Sequence, residues 1–287
     1  MGKRAGDRPG AGAGAAAQQK RARRHQSRSS RFKNPQNSFD ISPGMKGFFA
    51  TCTRGRERSS AAEAIDLLES YAARLYPGLE EEVAAAEAEP EPEPGAESGD
   101  IEAEIAREVA EMKSASKPAL FRYLPTTIEC LIYIKCHRRI DPGRLVQFMF
   151  ADLVETRQRR TRFTGRLVPA QVTTTSKVDA IVKAAKAVAH DLLADDAAPT
   201  TFALVVNIRY CDDIKRDDVI PAVAAPLDAK HKVDLKHAKH TIVIEIFKSM
   251  ATVGLVQDYN ALRRLNLQTL FDEPRPEALK PPSEPTA

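Results

Sequence analysis

Arg157 to Val172 reads RQRRTRFTGRLVPAQV, a charged half followed by an apolar one. The first half holds five arginines, Arg157, Arg159, Arg160, Arg162 and Arg166, within ten residues and without a carboxylate. Guanidinium groups packed this closely repel one another unless an anion is near, and their planar fork of donors matches phosphate oxygens. The second half turns apolar and meets Pro169, which reads as a strand entered from a basic loop. The stretch is therefore either a polyanion-binding junction into a β core or a solvated charged helix end.

Upstream, Asp141-Pro142 forms a cap and first-turn pair, and Leu145, Val146, Met149 and Leu153 give the helix it opens an apolar face. That helix delivers the chain to the arginines. Before it, Thr126 to Lys135 (TTIECLIYIK) is rich in β-branched and aromatic residues and reads as a central strand. Gly47 to Cys52 (GFFATC) reads as a buried strand, followed by Arg54, Arg56 and Arg58 in a basic loop. Ser60 with Glu63 suggests a capping box for a helix carrying Ile65, Leu68, Tyr71, Ala72 and Leu75, stopped by Pro77-Gly78. The block over 80–112, with its run EPEPEPG, reads as a flexible acidic insertion, although Ile101, Ile105, Val109 and Met112 recur at helical spacing.

Downstream, Ser176 and Asp179 are placed to cap a helix on Val178, Ile181, Val182 and Ala185. Thr201 to Val206 is a buried strand that delivers Asn207, Arg209 and Tyr210 to its end. Asp212, Asp213, Asp217 and Asp218 either cap the next helix or hold a hard cation, and Pro221 belongs near that helix's start. Thr241 to Phe247 (TIVIEIF) reads as a strand buried on both faces, ended by Lys248-Ser249, with Ala251 to Val256 as its neighbour. Beyond Phe271, prolines and charges describe an unfolded tail.

The net charge of +4 conceals three regions. Residues 1–45 carry ten lysines and arginines against Asp7 and Asp40, whereas 80–112 carry thirteen carboxylates against Arg107 alone. Without the acidic block the chain is strongly basic, which points to nucleic acid. The arm over 1–44 is too polar to bury a core and reads as disordered. Its Lys20-Arg21-Ala22-Arg23-Arg24 cluster serves nuclear import, RNA contact or solubility alone, and a transit peptide is the further alternative. Four scattered cysteines fit a reducing compartment, and no uninterrupted apolar run is long enough for a membrane span. No phosphate-binding glycine loop, dinucleotide fingerprint, zinc-protease helix or deaminase signature occurs. No cofactor is expected.

The succession PGMKGFFATC, basic loop and helix, ECLIYIK, RRTRFTGRLVPAQVTTT, KVDL, and TIVIEIFKSM followed by VQDYNALRRLNLQ resembles the THUMP-domain adaptor proteins of tRNA acetylation. The resemblance spans roughly residues 43–271 and implies an α+β chain: an N-terminal ferredoxin-like domain followed by a THUMP domain, with disordered tails and the acidic insertion. The expected limits are 1–44 for the arm, 45–145 for the first domain, 146–258 for the THUMP domain and 259–287 for a mostly disordered extension. It further implies a tRNA-binding protein without a catalytic site, which assists a separate RNA cytidine acetyltransferase in making N4-acetylcytidine in the D-arm of tRNA. Tail and resemblance together suggest the nucleus or nucleolus, with the cytoplasm as a further location. Family positions fall on Thr161-Arg162, Pro169, Asp234 and Phe247-Lys248-Ser249, while Thr174 departs from an expected cysteine and Pro221 is a second departure. The candidate RNA contacts are Arg157, Arg159, Arg160, Arg162 and Arg166, with Arg209, Lys248, Arg54, Arg56 and Arg58 extending the surface. The competing readings are an RNA-modifying enzyme with its own active site and a ribosome-assembly scaffold. The 115 residues after Val172 leave little room for a catalytic domain beside the rest of a THUMP fold.

Overall fold

A computed structural model describes residues 40–88 and 119–272. Of the basic arm expected over 1–44, residues 1–39 lie outside these limits, as do most of the acidic insertion and the tail beyond 272; within 40–44, Ile41 is buried and the Gly44 N–H donates to the Thr173 carbonyl at 2.7 Å.

Two sheets share one extended segment. The first is antiparallel, in the order β2-β3-β1-β4, built from β1 (Gly47–Cys52), β2 (Phe121–Pro125), β3 (Leu131–Cys136) and β4 (Thr164–Ala170). Helix α1 (Glu57–Leu75) follows β1 and α3 (Pro142–Thr156) follows β3, so apart from the additional helix α2 (Leu79–Ala88) after α1 the succession among the described residues is βαββαβ, with the first strand inside the sheet. The apolar stripes found in the sequence are the ones buried: Ile65, Leu68, Tyr71 and Ala72 on α1, and Leu145, Val146, Met149 and Leu153 on α3. Asp141 caps α3 as expected, its carboxylate accepting from the Gly143 and Arg144 N–H groups at 2.8 and 3.2 Å.

The second sheet has the order β5-β9-β8-β6-β7, from β5 (Val172–Thr175), β6 (Thr201–Arg209), β7 (Lys232–Val233), β8 (His240–Phe247) and β9 (Met250–Gln257). Strands β6 and β8 run parallel, while β9 lies antiparallel to β8 and to β5. Helices α4 (Val178–Val188) and α6 (Arg216–Asp228), with the short α5 (His190–Leu193) between them, cover one face through a core of Ile181, Val206, Val219, Ile242, Ile244 and Val253. A 3-10 turn (Arg263–Leu265) and α7 (Leu267–Asp272) fold back towards β4.

The segment 164–175 belongs to both sheets. Its β4 half pairs with β1 and its β5 half with β9, and only Gln171 separates them. Gln171 ties the crossing together: its carbonyl accepts from the Leu255 N–H at 2.7 Å, its amide donates to Asp141 at 3.2 Å, and its backbone N–H reaches Val253 at 3.0 Å. Phe49 packs at a tilt against Phe247 with centroids 5.0 Å apart, and the Tyr133 and Thr173 hydroxyls lie 2.9 Å apart, so side chains from the two sheets interlock.

Several expectations need correction. The strand read over Thr126–Lys135 begins at Leu131; Thr126–Cys130 is a turn, with Thr127 and Cys130 at φ 57° and 61°, and the preceding strand β2 was not foreseen. A β-branched run therefore supplied both a strand and its turn. The proposed capping box at Ser60 lies inside α1, which starts at Glu57. Ser60 is buried against the Thr164 hydroxyl at 2.9 Å, and Glu63 accepts from the Arg162 and Phe163 N–H groups, each at 2.9 Å. These two side chains fasten β4 instead of opening a helix. The start of the acidic block is helical, as α2 (Leu79–Ala88), because Leu79 and Val83 are buried. The limit expected at 145/146 falls inside α3, and the first sheet takes in β4 through Ala170. Residues 259–272 are packed, with Tyr259, Leu262, Leu265, Leu267 and Leu270 buried. Pro221 is not near the start of its helix; both Pro221 and Pro226 lie inside α6.

A methyl group at Gly254 would sit 2.2 Å from the Pro169 carbonyl oxygen, because β9 passes directly beneath the strand crossing. Gly254→Ala is expected to lower stability by about 1–3 kcal/mol in urea unfolding, as overpacking against backbone does. An unchanged midpoint would mean that the crossing is not this tight.

Candidate nucleic-acid interface

The ends of strands from both sheets meet at one corner. The end of β1 leads into Arg54, Gly55 and Arg56, and Cys52 donates to the Cys130 carbonyl at 3.0 Å, which brings the 126–130 turn alongside. Thr53 donates to the Phe163 carbonyl at 3.0 Å, which brings the start of β4 to the same place. From the second sheet, Lys248 occupies the two-residue turn between β8 and β9 at φ 52°, and its ammonium donates to the Thr127 hydroxyl. The Lys248 N–H in turn reaches the Arg209 carbonyl at 3.2 Å, so the end of β6 joins the corner.

Five of the ten candidate cations converge here. The guanidinium groups of Arg56 and Arg162 each lie 5.3 Å from the centroid of the Phe163 ring. Held on that ring, both groups lose less rotamer freedom on meeting a ligand than free side chains would. Arg54 pairs with Glu129 at 3.0 Å, with its side chain 78% exposed. Such a surface pair contributes little and is readily exchanged for a phosphate. An open pocket of about 420 Å³ lies between Arg54, Tyr123, Thr126 and Glu129.

Arg209 is held most firmly. Its guanidinium pairs with Glu245, which is 2% exposed and also accepts from the Asn207 amide at 2.8 Å, and it lies 5.7 Å from the Phe49 ring centroid. Burial pushes the Glu245 carboxyl above its ordinary range, while Arg209, Asn207 and Arg166 pull it back. Arg58 is exposed in the first turn of α1, whose N-cap residue is Arg56. Cations at a helix N-terminus oppose the helix dipole, so neither Arg56 nor Arg58 is explained by helix stability.

The remaining arginines of the opening stretch fan away from the corner. Arg157, in the left-handed conformation that ends α3 (φ 54°), donates to the Leu270 and Phe271 carbonyls and closes the C-terminus of α7. Arg159 lies 3.5 Å from Asp272. Arg160 donates to the Ser70 hydroxyl at 2.8 Å, next to the Arg74–Asp152 pair. Arg166, half-buried, sits within electrostatic range of Glu245 and Tyr259. Of the five arginines in the run, Arg162 is the one that reaches the corner, and Arg157 is bound into the fold.

Among the described residues no group of three or more His, Cys, Asp or Glu is placed to hold a metal ion; Asp217 and Asp218 lie in the first turn of α6. Burial pushes the Cys52 and Cys136 thiols up to about 12, so neither is a thiolate at neutral pH. Asp234 accepts from the Lys236 and His237 N–H groups at 2.9 and 2.8 Å and shapes the turn after β7. No helix among the described residues is long and apolar enough to cross a membrane.

Phe49, Phe163, Glu63 and Thr127 also shape the corner, and the residues alone do not place them there, whereas Phe247 falls on a position the resemblance marks. Only the Arg162-Phe163 dipeptide offered a sequence signal, a cation next to an aromatic.

Residues 175–256, which are the end of β5 through β9, match the THUMP domain. The second sheet and its helices therefore define a THUMP-domain protein. Over 236 residues the chain is 30% identical to an uncharacterized protein of Schizosaccharomyces pombe, covering 82% of this chain and 78% of that one. It is 28% identical over 242 residues to human THUMP domain-containing protein 1, covering 82% and 66% of the two chains. It is also 28% identical over 255 residues to the Saccharomyces cerevisiae protein named tRNA acetyltransferase TAN1, covering 81% and 86%. A solved THUMP domain of THUMP domain-containing protein 1 aligns with 27% of this chain and 82% of its own at 26% identity, with a TM-score of 0.25. The chain belongs to the THUMP-domain family that includes THUMP domain-containing protein 1 and TAN1.

The division of the arginines is open to a direct check. Arg157→Ala removes charge-assisted hydrogen bonds to two helix-end carbonyls and is expected to cost about 1–2 kcal/mol in urea unfolding. Arg54→Ala, which removes only an exposed pair, is expected to stay within about 0.5 kcal/mol. Equal effects would remove the distinction.

Proposed function

We propose that this chain is a tRNA-binding adaptor, which presents tRNA to a separate RNA cytidine acetyltransferase for N4-acetylcytidine formation in the D-arm. The observation that carries the reading is the corner where both sheets bring Arg54, Arg56, Arg162, Arg209 and Lys248 together. In this reading the βαββαβ unit is a ferredoxin-like module, and it forms one RNA-binding body with the THUMP domain. A-form RNA is recognised mainly through its shape, phosphates and 2′-hydroxyls, and guanidinium groups on rigid strand ends suit that task. Arg58 extends the surface, whereas Arg159 and Arg160 lie at its margin. Acetyl-CoA and ATP would be handled by the partner enzyme. The basic arm would assist entry to the nucleus or nucleolus, where tRNA is processed.

The name of the baker's yeast relative, a tRNA acetyltransferase, favours a second reading in which the chain performs the transfer itself. Incubating the purified chain with tRNA, acetyl-CoA and ATP separates the two. The adaptor reading expects no N4-acetylcytidine by nucleoside mass spectrometry until the acetyltransferase is added; product from this chain alone would replace it with the enzyme reading.

For binding itself, the triple variant Arg54→Ala, Arg56→Ala, Arg162→Ala is expected to lose tRNA affinity. The slope of log affinity against log salt should fall by roughly one unit for each phosphate contact removed. A folded triple variant with unchanged affinity and slope would place the RNA elsewhere.

A further inference from the structure

Tyr210 stands apart from every other phenylalanine and tyrosine among the described residues: it is the only one that is exposed, at 72%. A lone exposed ring is ordinary on a protein surface. Three features make this one different. First, it follows Arg209 at the end of β6, so it stands beside the basic corner while its own ring lies open to solvent. Second, its backbone is left-handed, at φ 53°, and so are those of Thr127 and Lys248 at 57° and 52°. Three residues with Cβ atoms held in a region that favours glycine, at one point of contact between two sheets, form the kind of local strain that collects at binding sites. Third, its base is rigid. The Arg209 carbonyl accepts from the Lys248 N–H, the Lys248 ammonium is tied to Thr127, and the Arg209 guanidinium is locked on Glu245 and Phe49.

We infer that Tyr210 is a stacking platform for an unpaired base of the bound RNA, placed by the rigid ends of β6 and β8 at the border of the phosphate-binding corner. The inference rests on the RNA-binding reading above and adds the class of nucleotide selected. A paired base inside an A-form helix offers no open face to such a ring, whereas an unpaired base does. The exposed carboxylates of Asp212 and Asp213, two and three residues further on, disfavour a phosphate at the ring itself. Tyr210 therefore meets the face of a base, while Arg54, Arg56 and Arg162 meet the backbone.

The chain contains no tryptophan, which provides a specific probe. In the full-length Tyr210→Trp variant, the single indole reports directly on stacking. Its emission is expected to be quenched by a single-stranded RNA oligonucleotide and much less by a blunt-ended RNA duplex of equal length. Tyr210→Ala is expected to weaken single-strand binding by about tenfold to a hundredfold, the loss typical of one stacked base, and Tyr210→Phe to retain it. Unchanged single-strand affinity in Tyr210→Ala, with the Arg54/Arg56/Arg162 variant still impaired, would overturn the platform and leave the basic corner standing. Equal quenching by duplex and single strand would overturn its selectivity. Failure of the unsubstituted chain to bind any RNA would remove both readings.

Discussion

A single extended segment with hydrogen bonds to two sheets is the constraint on which the rest of this structure depends. Between Thr164 and Thr175 the chain leaves the β1 side of one sheet and joins the β9 side of the other, with Gln171 alone at the crossing. Backbone donors and acceptors in a buried strand must be paired, so the segment cannot slip along one sheet without breaking its register with the other. Gly254 is required under Pro169 because no side chain fits between the two backbones there. A tilted Phe49–Phe247 ring contact joins the two sheets as well. Once those contacts are made, the β1–α1 loop, the 126–130 turn and the β8–β9 turn have no freedom to separate.

That geometry sorts charges that look alike in sequence. Arg157 saturates the carbonyls at the end of α7, and removing it exposes a helix terminus. Arg209 neutralises a buried carboxylate and remains about 30% exposed, so it serves the core and the surface at once. Arg54, Arg56 and Arg162 rest on exposed partners or on the Phe163 ring, and these cost little to release. In the proposed reading, a phosphate at the corner would meet cations whose positions are already set but whose charges are only weakly engaged. Preorganisation of that kind lowers the entropy cost of binding without adding contacts.

Much of this was legible from residues alone where local chemistry decides the outcome. The Asp141-Pro142 cap, the apolar stripes of α1 and α3, and the both-faces-buried strand at Thr241–Phe247 follow from spacing and side-chain type, and they stand as read. The misreadings have one physical origin, because tertiary partners decided the role of each residue. Ser60 and Glu63 carry the pattern of a helix cap, yet their oxygens are taken by Thr164 and by the amides of Arg162 and Phe163, about a hundred residues away. Thr126–Cys130 has strand-forming residues, yet contact with Lys248 and Cys52 accompanies a turn there. The arginine run was visible at once, but its division between α7 and the corner depends on where Leu270 and Phe163 lie in space, and no spacing encodes that.

Hydrogen–deuterium exchange of the full chain with and without tRNA tests the central claim, that the sheet junction is the RNA-binding face. The account predicts slower exchange on tRNA binding in the 53–58 loop, the 126–130 turn and the segments around Tyr210 and Lys248, with the helices α4 and α6 unchanged. Protection confined to α4 and α6, with those loops exchanging as in the free protein, would contradict it.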